Sequence, residues 1–112
     1  MEKINTLLQK YNHFKDARIH SIQQLPDSKI LTIIIQDDDG EDLNSVVIEF
    51  SNINASKILI DDVLGYLDMG RGISIIKENN LYGFAVGSGT AMLHVHSAPL
   101  YIISSEIKIE EK

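Results

Sequence analysis

The sequence predicts a mainly β domain of the α+β class: an N-terminal helix followed by a six- or seven-stranded antiparallel sheet, curled into a sandwich or an open barrel. Three observations predict it. Apolar residues recur at helical spacing only over the first dozen positions. From Phe14 onward they alternate with polar residues or form β-branched runs. Pairs of turn-forming residues then separate those runs at short intervals.

Ile4, Leu7, Leu8 and Tyr11 stand at i, i+3, i+4 and i+7, one face of a helix over about residues 2–12. Glu2 near its start and Lys10 near its end suit the helix dipole. Thr6 and Gln9 match a capping box one turn late, and Asn12 is a left-handed stop. Ala17 and Ile19 then alternate with polar residues before the phase slips at Ile22, as a bulge produces. Pro26-Asp27-Ser28 is turn chemistry, with the proline ring pre-set for the second turn position.

Ile30 to Ile35 and Val46 to Phe50 are β runs on either side of Asp39-Gly40, a preferred type I′ pair. If those two residues are the loop, Ile35 faces Asn44, Ile33 faces Val46 and Leu31 faces Ile48. One surface then gathers Leu31, Ile33, Ile35, Val46, Ile48 and Phe50, which a one-residue slip would scatter. Ser51 to Ser56 has loop composition, Ile58-Leu59-Ile60 forms a short buried run, and Asp61 to Gly65 suits either a helical turn or a kinked strand. Gly70-Arg71-Gly72 ends that segment. Asn79-Asn80 and Ser88-Gly89 each suit a two-residue turn. Three strands at about 73–78, 81–87 and 90–97 follow, with Ile75 opposite Phe84 and Phe84 opposite Leu93. Their shared face holds Ile73, Ile75, Tyr82, Phe84, Val86, Ala91, Leu93 and Val95. A last strand runs from about Leu100 to Ile109.

With 112 residues, the chain 1–112 fits a single domain, and neither a linker nor an internal repeat interrupts it. An apolar fraction of 44% with 23% charged residues is that of a globular protein. No run approaches the roughly 20 apolar residues of a membrane span, and the start lacks the pattern of a signal peptide. The absence of cysteine excludes disulfides, thiolate catalysis and cysteine-based zinc sites. A cytoplasmic location is expected. Sixteen acidic against ten basic residues give a net charge of −6, which argues against nucleic acid and reads either as a solubility device or as a surface that permits a basic partner.

Four constellations merit weighing. His94 and His96, read as an H-x-H pair on a strand, point to one face with Glu78 in the same row, the beginning of a metal or ligand site. A third ligand and an oriented outer shell are missing, so no cofactor or metal is expected. His13 and His20 have no partner that the sequence places. The acidic tip places Asp37, Asp38, Asp39, Glu41 and Asp42 within six positions. Its aspartates are consecutive rather than alternate, and Val46 stands where a calcium loop needs glutamate, so it reads as a solvated tip or an electrostatic docking element. Gly87-Ser88-Gly89-Thr90 lacks the helix and lysine of a phosphate loop and reads as a hairpin turn. Ile76, Ala85 and Met92 form an apolar row on the second face of the C-terminal sheet, either core or a homodimer contact. Ser97, Ser104 and Ser105 sit in no nucleophile-elbow context and no carboxylate pair is placed for acid/base work, so no enzyme activity is expected.

Phe14-Lys15-Asp16-Ala17-Arg18-Ile19, Ile30-Leu31-Thr32-Ile33 and Val47-Ile48-Glu49-Phe50-Ser51-Asn52-Ile53 resemble small bacterial β-rich immunity proteins of polymorphic, contact-dependent toxin systems. In that group an aromatic residue and an aspartate open the first strand, and a strand ending in phenylalanine leads into a loop. The resemblance spans about residues 14–65, with Lys15 where a histidine often precedes the aspartate. It implies a stoichiometric inhibitor of a cognate toxin, often a nuclease, and carries over no catalytic residue. The expected partner-binding residues are those of the acidic tip. The alternatives are a ligand- or metal-binding module using His94 and His96, and a homodimer formed through Ile76 and Met92.

Overall fold

The computed structural model describes residues 2–15, 17–36, 39, 41–64, 66–89 and 91–112, with backbone only at Asp42, Leu43 and Asp61. The N-terminal helix α1 is Glu2–Lys10 and buries Ile4, Leu7 and Leu8, as its periodicity predicts. Thr6 is no cap: its hydroxyl donates back to the Glu2 carbonyl at 2.9 Å from within the helix. The helix stops where expected, at Asn12, and three successive residues, Asn12, His13 and Phe14, then hold positive φ. That left-handed turn drives Phe14 into the core, so the aromatic precedes the first strand rather than opening it; Asp16 lies outside the described residues.

Six strands among the described residues form one open antiparallel sheet: β1 (Arg18–Gln24), β2 (Ser28–Gln36), β3 (Asp42–Lys57), β4 (Ile73–Glu78), β5 (Leu81–Val86) and β6 (Tyr101–Glu111), in the order β1-β2-β3-β6-β5-β4. β1 shifts register between Ile19 and Ser21, the bulge that the phase slip announces. The Leu25 N–H donates to the Ser28 carbonyl at 2.8 Å, closing the turn around Pro26-Asp27. The β2–β3 pairing is Leu31↔Ile48, Ile33↔Val46 and Ile35↔Asn44, as its apolar pattern requires. At the tip the register slips, with Gln36 opposite Asp42, so the loop is longer than the two-residue turn expected from Asp39-Gly40. Gly40 itself lies outside the described residues.

Residues 51–56 are a correction. They continue β3 through a left-handed Asn52 and a register shift between Ile53 and Ala55 against β6. A bulge lets a polar stretch stay paired while the strand bends. Asn79 and Asn80 both hold positive φ and close the β4–β5 hairpin, with Ile75 opposite Phe84 as expected. The strand expected at 90–97 does not form. Thr90 lies outside the described residues, and Met92–His96 is a short helix, α3. Phe84 therefore faces Ile102 of β6, not Leu93. Gly83 makes room for this helix: a Cβ there would lie 2.7 Å from the Met92 sulfur and 3.0 Å from a Val95 methyl carbon.

The sheet has a core on each face. The larger unites α1, the left-handed turn and one face of the strands, with the row Ile22–Leu31–Ile48–Ile109 crossing four strands and Phe50 edge-on to Phe84 at 5.4 Å. Burial of this cluster is the main stabilising contribution, at about 25 cal/mol per Å² of apolar surface removed from water. The smaller core lies under α3 and contains Ala85, Val95, Ala98 and Ile103. Ile76 and Met92 pack half-buried against it, so the apolar row read as a dimer face is occupied by the chain's own helix.

Between β3 and β4 the chain crosses from mid-sheet to an edge. A single helical turn, α2 (Asp61–Leu64), sits against β1, while the Asn12–Phe14 turn sits against β4. Gly72 locks the arrangement. It has φ +71°, and a Cβ there would lie 2.0 Å from the His13 carbonyl oxygen.

Candidate partner-binding surface

The acidic tip lies in the loop joining β2 to β3. Asp39 and Glu41 are exposed, whereas Asp37, Asp38 and the side chain of Asp42 lie outside the described residues. Of the five acidic residues of the tip, the structure thus describes the side chains of two.

The shared face expected of His94 and His96 does not form. On a helix, residues two apart point about 200° from each other, and the H-x-H geometry of a strand is lost. His96 meets the Tyr101 ring edge-on at 5.4 Å, while His94 lines a cleft on the other side of α3. Glu78 stands at the β4–β5 hairpin end opposite Leu81 and is exposed. No group of three metal-ligating side chains converges among the described residues.

That cleft, of about 380 Å³, separates the 68–71 turn from α3 and carries Asp68, Arg71, Ser88, His94 and Ser97. Its floor is pinned by Ser74, whose hydroxyl donates to the Gly87 carbonyl at 2.6 Å and accepts from the Gly89 N–H at 3.0 Å. The Gly87–Gly89 segment is therefore a braced loop leading into α3, not the hairpin turn expected.

A second shallow groove lies on the outer sheet face beside Ile30 and Val47, ringed by Glu49, Lys108, Glu110 and Lys112. Lys108 and Lys112 each approach Glu110 at 3.4 Å. The hydrogen bond from Lys112, then that from Lys108, holds the Glu110 carboxyl below the usual carboxylate range. At the sheet end nearest α1, Lys10 pairs with Glu111 at 2.7 Å, and the Tyr11 hydroxyl donates to the same carboxylate while accepting from Asn44 at 2.8 Å. This network ties the helix to β3 and β6.

The feature that the sequence reading missed lies in the 58–69 segment. Ile60 was expected in a buried run, but it is 68% exposed. Val63 donates its N–H to the Ile60 carbonyl at 3.0 Å, and Tyr66 donates to the Val63 carbonyl at 3.1 Å. Bonds of this three-residue spacing stack side chains at i and i+3 on one side. Ile60, Val63 and Tyr66 therefore share an outward stripe, with Tyr66 88% exposed. Leu64 and Leu67, joined by the next such bond, face inward, with Leu64 2% exposed. Of the large apolar side chains exposed among the described residues, three of five, with Leu25 and Leu93 the others, lie on this one segment. Positions 58–70 hold three acidic residues, Asp61, Asp62 and Asp68, and no basic one. The available signal was the inverted pattern: apolar residues at both 60/63/66 and 64/67, more than one core face can take.

Compared with family models, curated proteins and solved structures, the chain finds no match. No helix among the described residues is long and apolar enough to cross a membrane.

Proposed function

We propose that the protein works by binding another protein, as an immunity protein that neutralises a cognate bacterial toxin in a stoichiometric complex. The observation that carries this reading is the acidic loop at 37–42, with Asp39 and Glu41 exposed, on a chain of net charge −6. Such a surface speeds encounter with a basic partner and disfavours acidic ones. A nuclease toxin, whose substrate demands a basic surface, is the partner class that suits it. In this reading the protein acts in the cytoplasm, without a cofactor and without chemistry of its own. The test is co-expression with the product of the gene directly upstream, where a toxin gene is expected. A 1:1 complex that abolishes the toxin's activity at one equivalent supports the proposal. The absence of any complex with that product overturns it.

A second reading draws on the cleft beside α3. Arg71, His94 and Ser88 bring donors to a small anionic ligand into the cleft, with the Asp68 carboxylate beside them. Titration with inorganic phosphate, followed by amide chemical shifts, discriminates the two. Saturable shifts at these residues, lost in Arg71→Gln, favour the ligand-binding module.

A further inference from the structure

We propose that the Ile60–Val63–Tyr66 stripe is the docking face for a basic protein segment, which sets an apolar side chain against Tyr66 and lysine or arginine side chains beside Asp62 and Asp68. This rests on the reading of the protein as a binder of a basic partner, and it moves the principal contact away from the acidic tip.

The argument starts from the stripe's cost. An apolar side chain left in water forgoes burial worth about 1.5–3 kcal/mol, and the segment does so at Ile60 and Tyr66 while burying Leu64 and Met69 on its other side. The inward residues suffice to anchor the segment in the core, so the outward ones contribute little to the fold. Tyrosine is among the residues that dominate binding energy at protein interfaces, because it offers a large contact area at low entropic cost. The backbone that carries the stripe is anchored by Leu64 and Met69 in the core. A backbone already fixed leaves only the exposed side chains to be ordered on binding.

The rim selects the occupant. Asp62 is interleaved with the stripe and exposed; Asp68, also exposed, follows two residues after Tyr66, where the chain turns towards the α3 cleft that Asp68 lines with Arg71. A second copy of the chain docking through the same patch would bring these carboxylates together, because a two-fold interface meets itself. Like charges so placed are disfavoured, whereas a basic segment meets complementary charge. In the sequence the nearest basic residues, Lys57 and Arg71, stand outside the 58–70 stretch.

The test is a peptide-display selection against the folded protein. Selected peptides should share a large apolar residue flanked by lysine or arginine. They should bind Tyr66→Ala and Ile60→Ser at least about tenfold more weakly, the loss of roughly 1.4 kcal/mol expected of an interface anchor. Leu93→Ser, which removes an exposed apolar side chain on α3, should leave binding unchanged, and all three variants should melt as the wild type does. The inference is overturned by peptides that bind Tyr66→Ala as well as wild type, by a selection that yields none, or by a wild-type dimer that Tyr66→Lys dissolves. The toxin reading stands or falls separately. If the upstream gene product binds wild type and Tyr66→Ala equally, the docking face is wrong and the toxin reading survives. If that product does not bind while selected peptides map to the stripe, the reverse holds.

Discussion

In the β2–β3 hairpin, Leu31, Ile33, Val46, Ile48 and Phe50 are fully buried, and the residues between them turn a mixed polar and apolar surface outward. In the 58–69 segment Leu64 and Met69 are almost as deeply buried, yet Ile60, Val63 and Tyr66 point away from the same core. A strand has two faces, and burying one assigns every residue on it. A turn stacked at three-residue spacing has more than two sides, and a core can take only one of them. Apolar residues left largely exposed beyond what the core accepts are therefore the ones to question for function; the hairpin's outward Ile30, Ile34 and Val47 are half-buried, whereas Ile60 and Tyr66 are not.

The contrast can be broken most forcefully at Gly72, which fixes the end of the 58–72 segment. Gly72→Ala should cost ~3 kcal/mol or more, combining a positive φ with a collision against fixed backbone. A melting temperature equal to wild type would show that the segment is not held as described. Next in size is a paired comparison across the two sides of the segment. Leu64→Ala should destabilise by ~2–5 kcal/mol, as cavity-forming substitutions do. Tyr66→Ala should stay within ~0.5 kcal/mol in chemical denaturation, as exposed substitutions do. Equal losses at both would erase the distinction between an anchoring and an offered side.

A smaller effect is expected at the hairpin tip. Replacing Asp39 with asparagine and Glu41 with glutamine should slow association with a confirmed partner several-fold and barely change dissociation. Rim charges act on encounter, while buried contacts set the lifetime. The association rate of the wild type should fall as salt rises, since the screening length drops from about 10 Å at 0.1 M to about 3 Å at 1 M. If dissociation changed instead, the tip would be a buried contact and the stripe would lose its priority.

The smallest effect sits on the outer sheet face. Hydrogen bonds from Lys112 and Lys108 lower the Glu110 pKa, so the fold favours its charged form. Any stability gained is present above the unfolded pKa and lost as pH falls through the folded value. Solvent screening of a side chain that is 41% exposed keeps that gain too small to follow by melting. An NMR titration of the Glu110 carboxyl should find its midpoint below the ordinary range and raised towards it in Lys112→Gln. A midpoint unmoved by that substitution would remove the lysine as its cause.

The sequence by itself determined the elements whose signals are local and two-valued. The α1 stripe, the Pro26-Asp27 turn, the Asn79-Asn80 turn and the β2–β3 register each follow from side-chain period and backbone chemistry within a few residues. The tertiary structure decided the rest. Ser88-Gly89 and Asn79-Asn80 carry similar turn chemistry, but the partner of β5 proved to be β6, and residues 92–96 were left to form a helix over Gly83. The alternation within 88–97 does not settle that choice, because a strand of the right pattern pairs with whichever neighbour the whole sheet supplies, and Ala91, Met92 and Leu93 are also good helix formers. The polar stretch 51–56 stayed in β3 because β6 lies beside it across a bulge. The outward stripe became visible only once the core had filled with Leu64 and Met69, since burial is shared by every element that packs there.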